Sequence, residues 1–332
     1  MLSYKNRTPH TIYSPFHDRG TGFEPRPFVM PVKMKDFQSI KKTVGGNEGD
    51  KCLYNTRLDT YGCGCAHDCK YCYAKSLLEF RGLWHPESPA VGNIGSISKK
   101  IKALPREVVR LGGMTDCFQP AEKIHKVTYK TIRLLNRRRI PYLIVTKSAL
   151  VAEYTDVLDP ELAHIQFTLT FTDDDRYRAS HVEDAPVPSE RIRAIEKLEA
   201  EGFDTCIRLS PYIPEFIDVD VLNGIKCDKV LVEFLRVNHW IEKWMGDKCD
   251  LSGYTRTFHG YNHMPFERKK ELVEKMGNAH TITVCDFEPE YIEYWKKVFN
   301  PNPEDCCNLR RRKDEQATGG VSVPDRAEAV RK

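Results

Sequence analysis

Between residues 51 and 240, apolar and β-branched runs recur, and each is followed by a stretch whose apolar positions repeat with helical spacing. The runs at 54–61, 108–115, 142–146, 165–170, 205–210 and 229–236 predict strands. Between them, 74–81, 121–138, 150–157, 189–201 and 219–223 predict helices. In 121–138 the helical period is carried by Ile124, Val127, Thr128, Thr131, Leu134 and Leu135. Strands that alternate with helices predict an α/β core domain, a parallel sheet covered by helices.

The flanks read differently. Residues 1–50 are rich in Pro, Gly and charge, which predicts an irregular N-terminal extension over the core. Helices are predicted at 239–245, 265–276 and 289–299, with a further strand at 280–286, so 241–300 reads as a C-terminal α+β addition. Residues 301–332 lack apolar periodicity and predict a mobile tail.

Composition narrows the function classes. A chain of 332 residues buries one large core, or one core with a small appendage. No apolar run is long enough to span a bilayer and residues 1–18 hold no signal-peptide core, so the chain reads as cytoplasmic, with no membrane partner. Twelve cysteines in a reducing compartment point to metal binding, catalysis or burial rather than a disulfide framework. A formal charge of +4 is too small to argue for nucleic acid. The basic clusters at Arg133, Arg137, Arg138 and Arg139, and at Arg310, Arg311, Arg312 and Lys313, read more readily as solvated faces.

The chemistry concentrates in YGCGCAHDCKYCYAK, residues 61–75, between the first predicted strand and the first predicted helix. Cys65, Cys69 and Cys72 stand in the spacing C-x-x-x-C-x-x-C, and three thiolates from one loop suit iron–sulfur or zinc chemistry. A [4Fe–4S] cluster normally takes four cysteines, so a loop offering three leaves one iron open. Adding Cys63 makes a four-cysteine zinc site conceivable, as in a non-enzymatic, zinc-stabilised nucleic-acid-binding protein. The spacing is wrong for paired C-x-x-C knuckles, and the strand–helix rhythm is too large for a zinc module. Cys249, Cys285, Cys306 and Cys307 are too scattered to predict an auxiliary cluster.

With Tyr71 directly before the last cysteine, this loop resembles the signature of the radical S-adenosylmethionine (radical SAM) enzymes. Together with TDCFQPAEK at 115–123, it is most similar to the branch that includes the spore photoproduct lyases. The resemblance implies a partial (β/α)6 TIM-like barrel, with the cysteine loop after its first strand. It further implies a [4Fe–4S] cluster on Cys65, Cys69 and Cys72, with SAM bound at the open iron. Cleavage of SAM to a 5′-deoxyadenosyl radical and hydrogen abstraction from a substrate follow, in a lyase or another radical transformation. The electron comes from an external donor of flavodoxin or ferredoxin type. DNA lesion repair or base modification is the nucleic-acid version of the same reading.

In a parallel barrel the functional groups sit at the C-terminal ends of the strands. By the resemblance, Gly112 and Gly113 approach the SAM amino group, with Thr115 or Asp116 supplying oxygen, and Lys147 meets the SAM carboxylate. Thr168 and Thr170 share one strand face and reach the ribose or carboxylate if they point inward. Tyr71 and Arg208 complete the cofactor-side candidates. A charged group in an apolar strand needs a partner, which pairs Glu233 with Arg208 or Arg236. The lyases carry a hydrogen-donating cysteine near the second strand; here that strand reads Gly113 and Met114, and the nearest thiol, the catalytic candidate, is Cys117.

Overall fold

The computed structural model describes residues 38–42 and 52–310. One eight-stranded sheet has a spatial order that follows the chain: β1 (Ile40–Lys42), β2 (Thr56–Leu58), β3 (Val109–Leu111), β4 (Tyr142–Thr146), β5 (Ala163–Thr168), β6 (Asp204–Tyr212), β7 (Lys229–Phe234) and β8 (Thr281–Val284). β1 is antiparallel to β2, and every other neighbouring pair is parallel. The helices are α1 (Tyr73–Leu78), α2 (Ile94–Lys102), α3 (Ala121–His125), α4 (Val127–Arg137), α5 (Asp174–Ser180), α6 (Pro188–Ala200), α7 (Val219–Asn223), α8 (His239–Met245), α9 (Phe266–Glu274) and α10 (Pro289–Val298). The edge strands β1 and β8 are not paired with each other, so the fold is an open, partial TIM-like barrel, as the resemblance implies.

Period-two alternation divides the strands between two cores. Tyr142, Ile144, Ile165, Phe167, Ile207, Leu209, Val230 and Val232 belong to the main apolar core with the helices. Leu143, Val145, Cys206 and Leu231 pack on the other face, in the barrel interior. Both faces are thus covered, which is why these strands are apolar at nearly every position.

The departures from the predicted elements have local causes. β2 stops at Leu58 because Asp59 turns aside, its Oδ1 accepting the N–H groups of Gly113 and Met114 at 2.8 and 2.9 Å. Tyr61–Gly62 then pairs with Ala90–Val91 in a separate two-stranded ladder. β3 stops at Leu111, before Gly112, whose φ of +85° suits glycine. The single helix expected over 121–138 breaks at Lys126, with φ of +51°; the Glu122 carboxylate accepts the N–H groups of Thr128 and Tyr129, both at 2.9 Å, and so caps α4. In place of a helix at 150–157 there is a 3-10 turn, Ala149–Glu153.

The C-terminal region corrects one expectation. Residues 301–310, predicted as the start of a tail, are packed: Cys307 and Leu309 join the interior core, and Asp305 and Cys307 are buried. The strand of the C-terminal addition enters the main sheet as β8, parallel to β7. Most of the predicted N-terminal extension, and residues 311–332, lie outside the described residues. No helix among the described residues is long and apolar enough to cross a membrane.

Candidate functional site

The cysteine loop runs from the Tyr61–Gly62 ladder into α1 and is tied down from several sides. Gly64 passes so close to His85 that a Cβ would lie 2.0 Å from its carbonyl oxygen, which only glycine allows. Gln119, fully buried, accepts the Ala66 N–H at 3.0 Å and donates to the Gly64 carbonyl at 3.4 Å. Asp68 accepts from Lys75 Nζ at 2.8 Å, Lys70 Nζ at 3.0 Å and Trp84 Nε1 at 3.3 Å. Cys72 begins α1, its Sγ accepting the Lys75 N–H at 3.5 Å.

Cys65 and Cys69 are buried and Cys72 is half-buried. Burial pushes all three thiols above the ordinary thiol value, with Asp116 adding to the rise at Cys65 and Glu183 at Cys69. Such sulfurs become thiolates only beside a strong positive charge, which a bound metal supplies. Three soft donors at one edge of a cavity fit an iron–sulfur cluster.

That cavity, of about 180 Å³, lies between the cysteine loop and the C-terminal ends of β3 to β7. The three cysteines line it, as do Tyr71, Gly112, Gly113, Thr115, Asp116, Lys147, Thr168 and Arg208. Thr170 stands behind this wall and donates or accepts at 2.8 Å to the Tyr71 hydroxyl. Cys117 is not in the wall; it is buried in the main core, and its carbonyl accepts from Thr128 Oγ1 at 2.5 Å.

Several of these side chains also have partners within the protein. The Asp116 carboxylate accepts Thr146 Oγ1 at 2.7 Å, the Lys147 N–H at 2.7 Å and the Phe118 N–H at 2.8 Å, and its Oδ2 lies 3.2 Å from His67 Nε2. Burial alone would raise its pKa, but His67 and these donors outweigh burial and hold it below the usual carboxylate range. Thr115 Oγ1 donates to the Tyr61 carbonyl at 2.7 Å. Gly112 needs to be glycine for its φ and because a Cβ would lie 2.6 Å from the Val145 carbonyl oxygen, while a Cβ on Gly113 would meet Arg57 at 3.0 Å. Both glycines are explained by packing within the protein.

Lys147 Nζ donates to the Tyr71 hydroxyl at 2.7 Å and Thr170 Oγ1 at 3.0 Å, and pairs with Glu183 Oε2 at 3.1 Å. Tyr71 also donates to Glu183, and Glu183 is paired with the fully buried Arg191. Burial pushes the Lys147 pKa down to about 8, with Arg191 lowering it further and Cys69 opposing. Farther along the wall, Arg208 donates to Gln166 Oε1 at 2.8 Å and to Glu233 Oε2 at 2.5 Å, and Arg236 lies 3.9 Å from Glu233 Oε1. The strand-end ion pair thus forms with both arginines. Arg110 also borders the cavity.

Four buried contributors were not singled out from the sequence as site residues. Gln119 and Glu122 lie in the TDCFQPAEK stretch, where Pro120 followed by Glu122 also reads as the start of a helix. Arg191 shares a helical face with Ala194, Ile195 and Leu198, all buried, so a charge on the apolar stripe of α6 was the available signal. Glu183 lies in an irregular segment and gave no signal.

A protein of Methanocaldococcus jannaschii is 28% identical over 166 residues, 48% of this chain and 62% of that protein. Proteins of Mycobacterium bovis and Mycobacterium tuberculosis are 23% identical over 166 residues, 47% of this chain and 49% of theirs. The matched region thus spans about half to three fifths of these curated relatives. Spore photoproduct lyase, solved with bound AdoMet and dinucleoside spore photoproduct, superposes with a TM-score of 0.53 at 18% identity, over 80% of this chain and 78% of that one. The complex with dinucleoside spore photoproduct alone gives the same values, and the likeness is one of fold. The family model of the Radical SAM superfamily matches residues 60–223, the stretch that holds the cysteine loop and most of the cavity wall, and that stretch is a Radical SAM domain; the superfamily uses SAM and an iron–sulfur cluster in radical-based catalysis.

Proposed function

We propose that Cys65, Cys69 and Cys72 hold a [4Fe–4S] cluster with SAM as the ligand of its open iron. The observation that carries this reading is the meeting of two buried thiols and one half-buried thiol with one cavity at the strand ends. When bound, the cluster and SAM supply reductive cleavage to a 5′-deoxyadenosyl radical that removes hydrogen from the substrate, the electron coming from an external flavodoxin- or ferredoxin-type donor. Lys147 keeps a positive charge beside Cys69 and Cys72, which offsets the charge of the thiolates. Tyr71, Thr170, Glu183 and Arg191 hold that ammonium in one position. Thr115 and Asp116 brace the loop, while Gly112, Gly113 and Thr168 border the space for SAM. Arg110, Arg208 and Arg236, with Glu233, border the space left for the substrate. Such a cluster suits a reducing cytoplasm, and no disulfide occurs among the described residues.

The test is anaerobic reconstitution, with 5′-deoxyadenosine measured under dithionite. The expected result is a brown cluster absorption and SAM cleavage in the intact chain, both lost in Cys65→Ala, Cys69→Ala or Cys72→Ala. A full cluster in any of these variants defeats the assignment. A nucleic-acid substrate is the second reading, favoured by the three arginines at the cavity and the fold likeness to a lyase solved with a dinucleoside lesion. It requires DNA binding that weakens steeply with salt; no binding at low salt removes it.

A further inference from the structure

A second group of thiols meets inside the barrel. Cys285, Cys306 and Cys307 pack into one cluster with Leu143, Cys206 and Leu231, and the Cys306 thiol interacts with those of Cys285 and Cys307. Cys285 follows β8, and Cys307 is buried against Leu143, Cys206 and Leu231 on the interior face of the sheet. Cys52 lies just before β2, two residues from Tyr54, which packs against the same cluster and donates to Asp305 at 2.7 Å. Four thiols from three distant stretches of chain are therefore gathered by the fold, which is why their spacing carries no motif.

The stretch that brings two of them is held firmly although it has no regular structure. Asp305 Oδ1 accepts the Cys307 N–H at 3.0 Å, and its Oδ2 accepts the Leu309 N–H at 3.0 Å and the Tyr54 hydroxyl at 2.7 Å. Lys229 Nζ donates to the Asn308 carbonyl at 3.0 Å, and the Arg310 N–H donates to Asp204 Oδ2 at 2.9 Å. Positive charge stands beside the group: Arg208 acts on Cys285, Cys306 and Cys307, and Arg110 on Cys307 and Cys52. Both arginines also border the cavity, so this group and the cavity share a wall.

We propose that Cys285, Cys306 and Cys307, with Cys52 as the fourth thiol, form a second thiolate-ligated metal centre in the barrel interior, an iron–sulfur cluster or a tetrahedral zinc. An all-thiol donor set selects those metals, and four thiolates complete either one. The two guanidinium groups offset the negative charge that such a centre carries. Among the described residues no group of three or more ligating side chains is preformed to hold a metal ion, neither Cys65, Cys69 and Cys72 nor the second group. Binding would draw the thiols in to metal–sulfur bonds of about 2.3 Å.

The test separates the two centres. A Cys65→Ala/Cys69→Ala/Cys72→Ala variant is reconstituted anaerobically with iron and sulfide, and in a parallel sample with zinc, and bound metal is measured by elemental analysis and Mössbauer spectroscopy. The expected result is metal retained in this variant, as iron with sulfide or as zinc, and lost on further introducing Cys306→Ser and Cys307→Ser. A folded triple variant that binds neither iron nor zinc overturns the proposal, and so does a Cys285–Cys306 disulfide in anaerobically prepared protein. If the triple variant does not fold, Cys306→Ser in the intact chain decides. Lost or weakened metal supports the second centre, and unchanged metal content overturns it. Failure of the loop cluster alone leaves this readout intact, since it is taken where that loop has no cysteines.

Discussion

At Lys147, burial and Arg191 favour the neutral amine while Cys69, Asp116 and Cys72 favour the ammonium, and the balance leaves the pKa at about 8. Below that value the side chain is a cation next to the cysteines proposed to hold the cluster. Replacing it by methionine keeps the volume and removes the charge, so the cluster should become harder to reduce. A unit charge at a cluster edge, at an effective dielectric near 20, gives a shift on the order of 100 mV. An EPR-monitored redox titration of Lys147→Met reads this directly, with Lys147→Arg expected to stay near the wild-type potential; equal potentials in all three contradict the role. Lysine at a strand tip was legible from the sequence because strand ends carry function. Its partners were less so: Arg191 is a charge hidden in an apolar helical stripe, and Glu183 belongs to an irregular segment. Cys117 shows the converse, since proximity in sequence to the site does not fix which way a side chain points, and this thiol packs into the core.

The segment joining β3 to α4 clamps the cysteine loop. Asp116, Gln119 and Glu122 recur every three residues and reach three parts of that loop's surroundings: His67, the backbone of Gly64 and Ala66, and the Tyr61 hydroxyl at 2.5 Å. Gln119→Ala removes two hydrogen bonds and leaves the loop backbone unsatisfied, at a cost of about 1–3 kcal/mol. The expected outcome is a cluster that bleaches several times faster in air, followed by its visible absorption, while Gln119→Glu, which keeps the acceptor for Ala66, bleaches more slowly than the alanine variant. Equal bleaching in the alanine variant and the intact chain counts against the clamp. The same segment carries a strained residue, exposed Lys126 at φ of +51°, between α3 and α4. Glycine there relieves about 1 kcal/mol of left-handed strain, so Lys126→Gly should raise the melting temperature by a few degrees. Apolar periodicity revealed the helical stretch but not its break, because the periodic positions continue across Lys126 while the break is imposed by Glu122 capping from the preceding turn.

Across the whole molecule, the order of strands was legible because each apolar run is long enough to be buried on both faces, whereas the closing segment 301–310 was not. Its residues are polar and aperiodic, and they are held by single bonds to strand starts far away in sequence. The main anchor is Asp204 at the start of β6, which pairs with His164 Nδ1 at 2.5 Å and with Lys229, and accepts the Arg310 N–H. Burial would raise the Asp204 pKa, but His164 and Lys229 outweigh it and hold the carboxyl well below its ordinary range. A carboxyl with a depressed folded-state pKa binds fewer protons in the native than in the unfolded chain. Its contribution is therefore fully present above the unfolded value of about 3.9 and is lost as pH falls below that value toward the folded one. Asp204→Asn at pH 7 leaves the half-buried cation of Lys229 without its carboxylate and should cost about 3 kcal/mol. The difference in unfolding free energy between the intact chain and the variant should hold from pH 7 to about pH 5 and shrink below pH 4. The variant should also be cleaved earlier by protease between residues 300 and 310, because the bond to Arg310 is weakened together with the charge. A stability difference that is the same at pH 3 and pH 7 would mean that the native carboxyl is not held ionised by its partners, and the closing segment would then depend on packing of Cys307 and Leu309 alone.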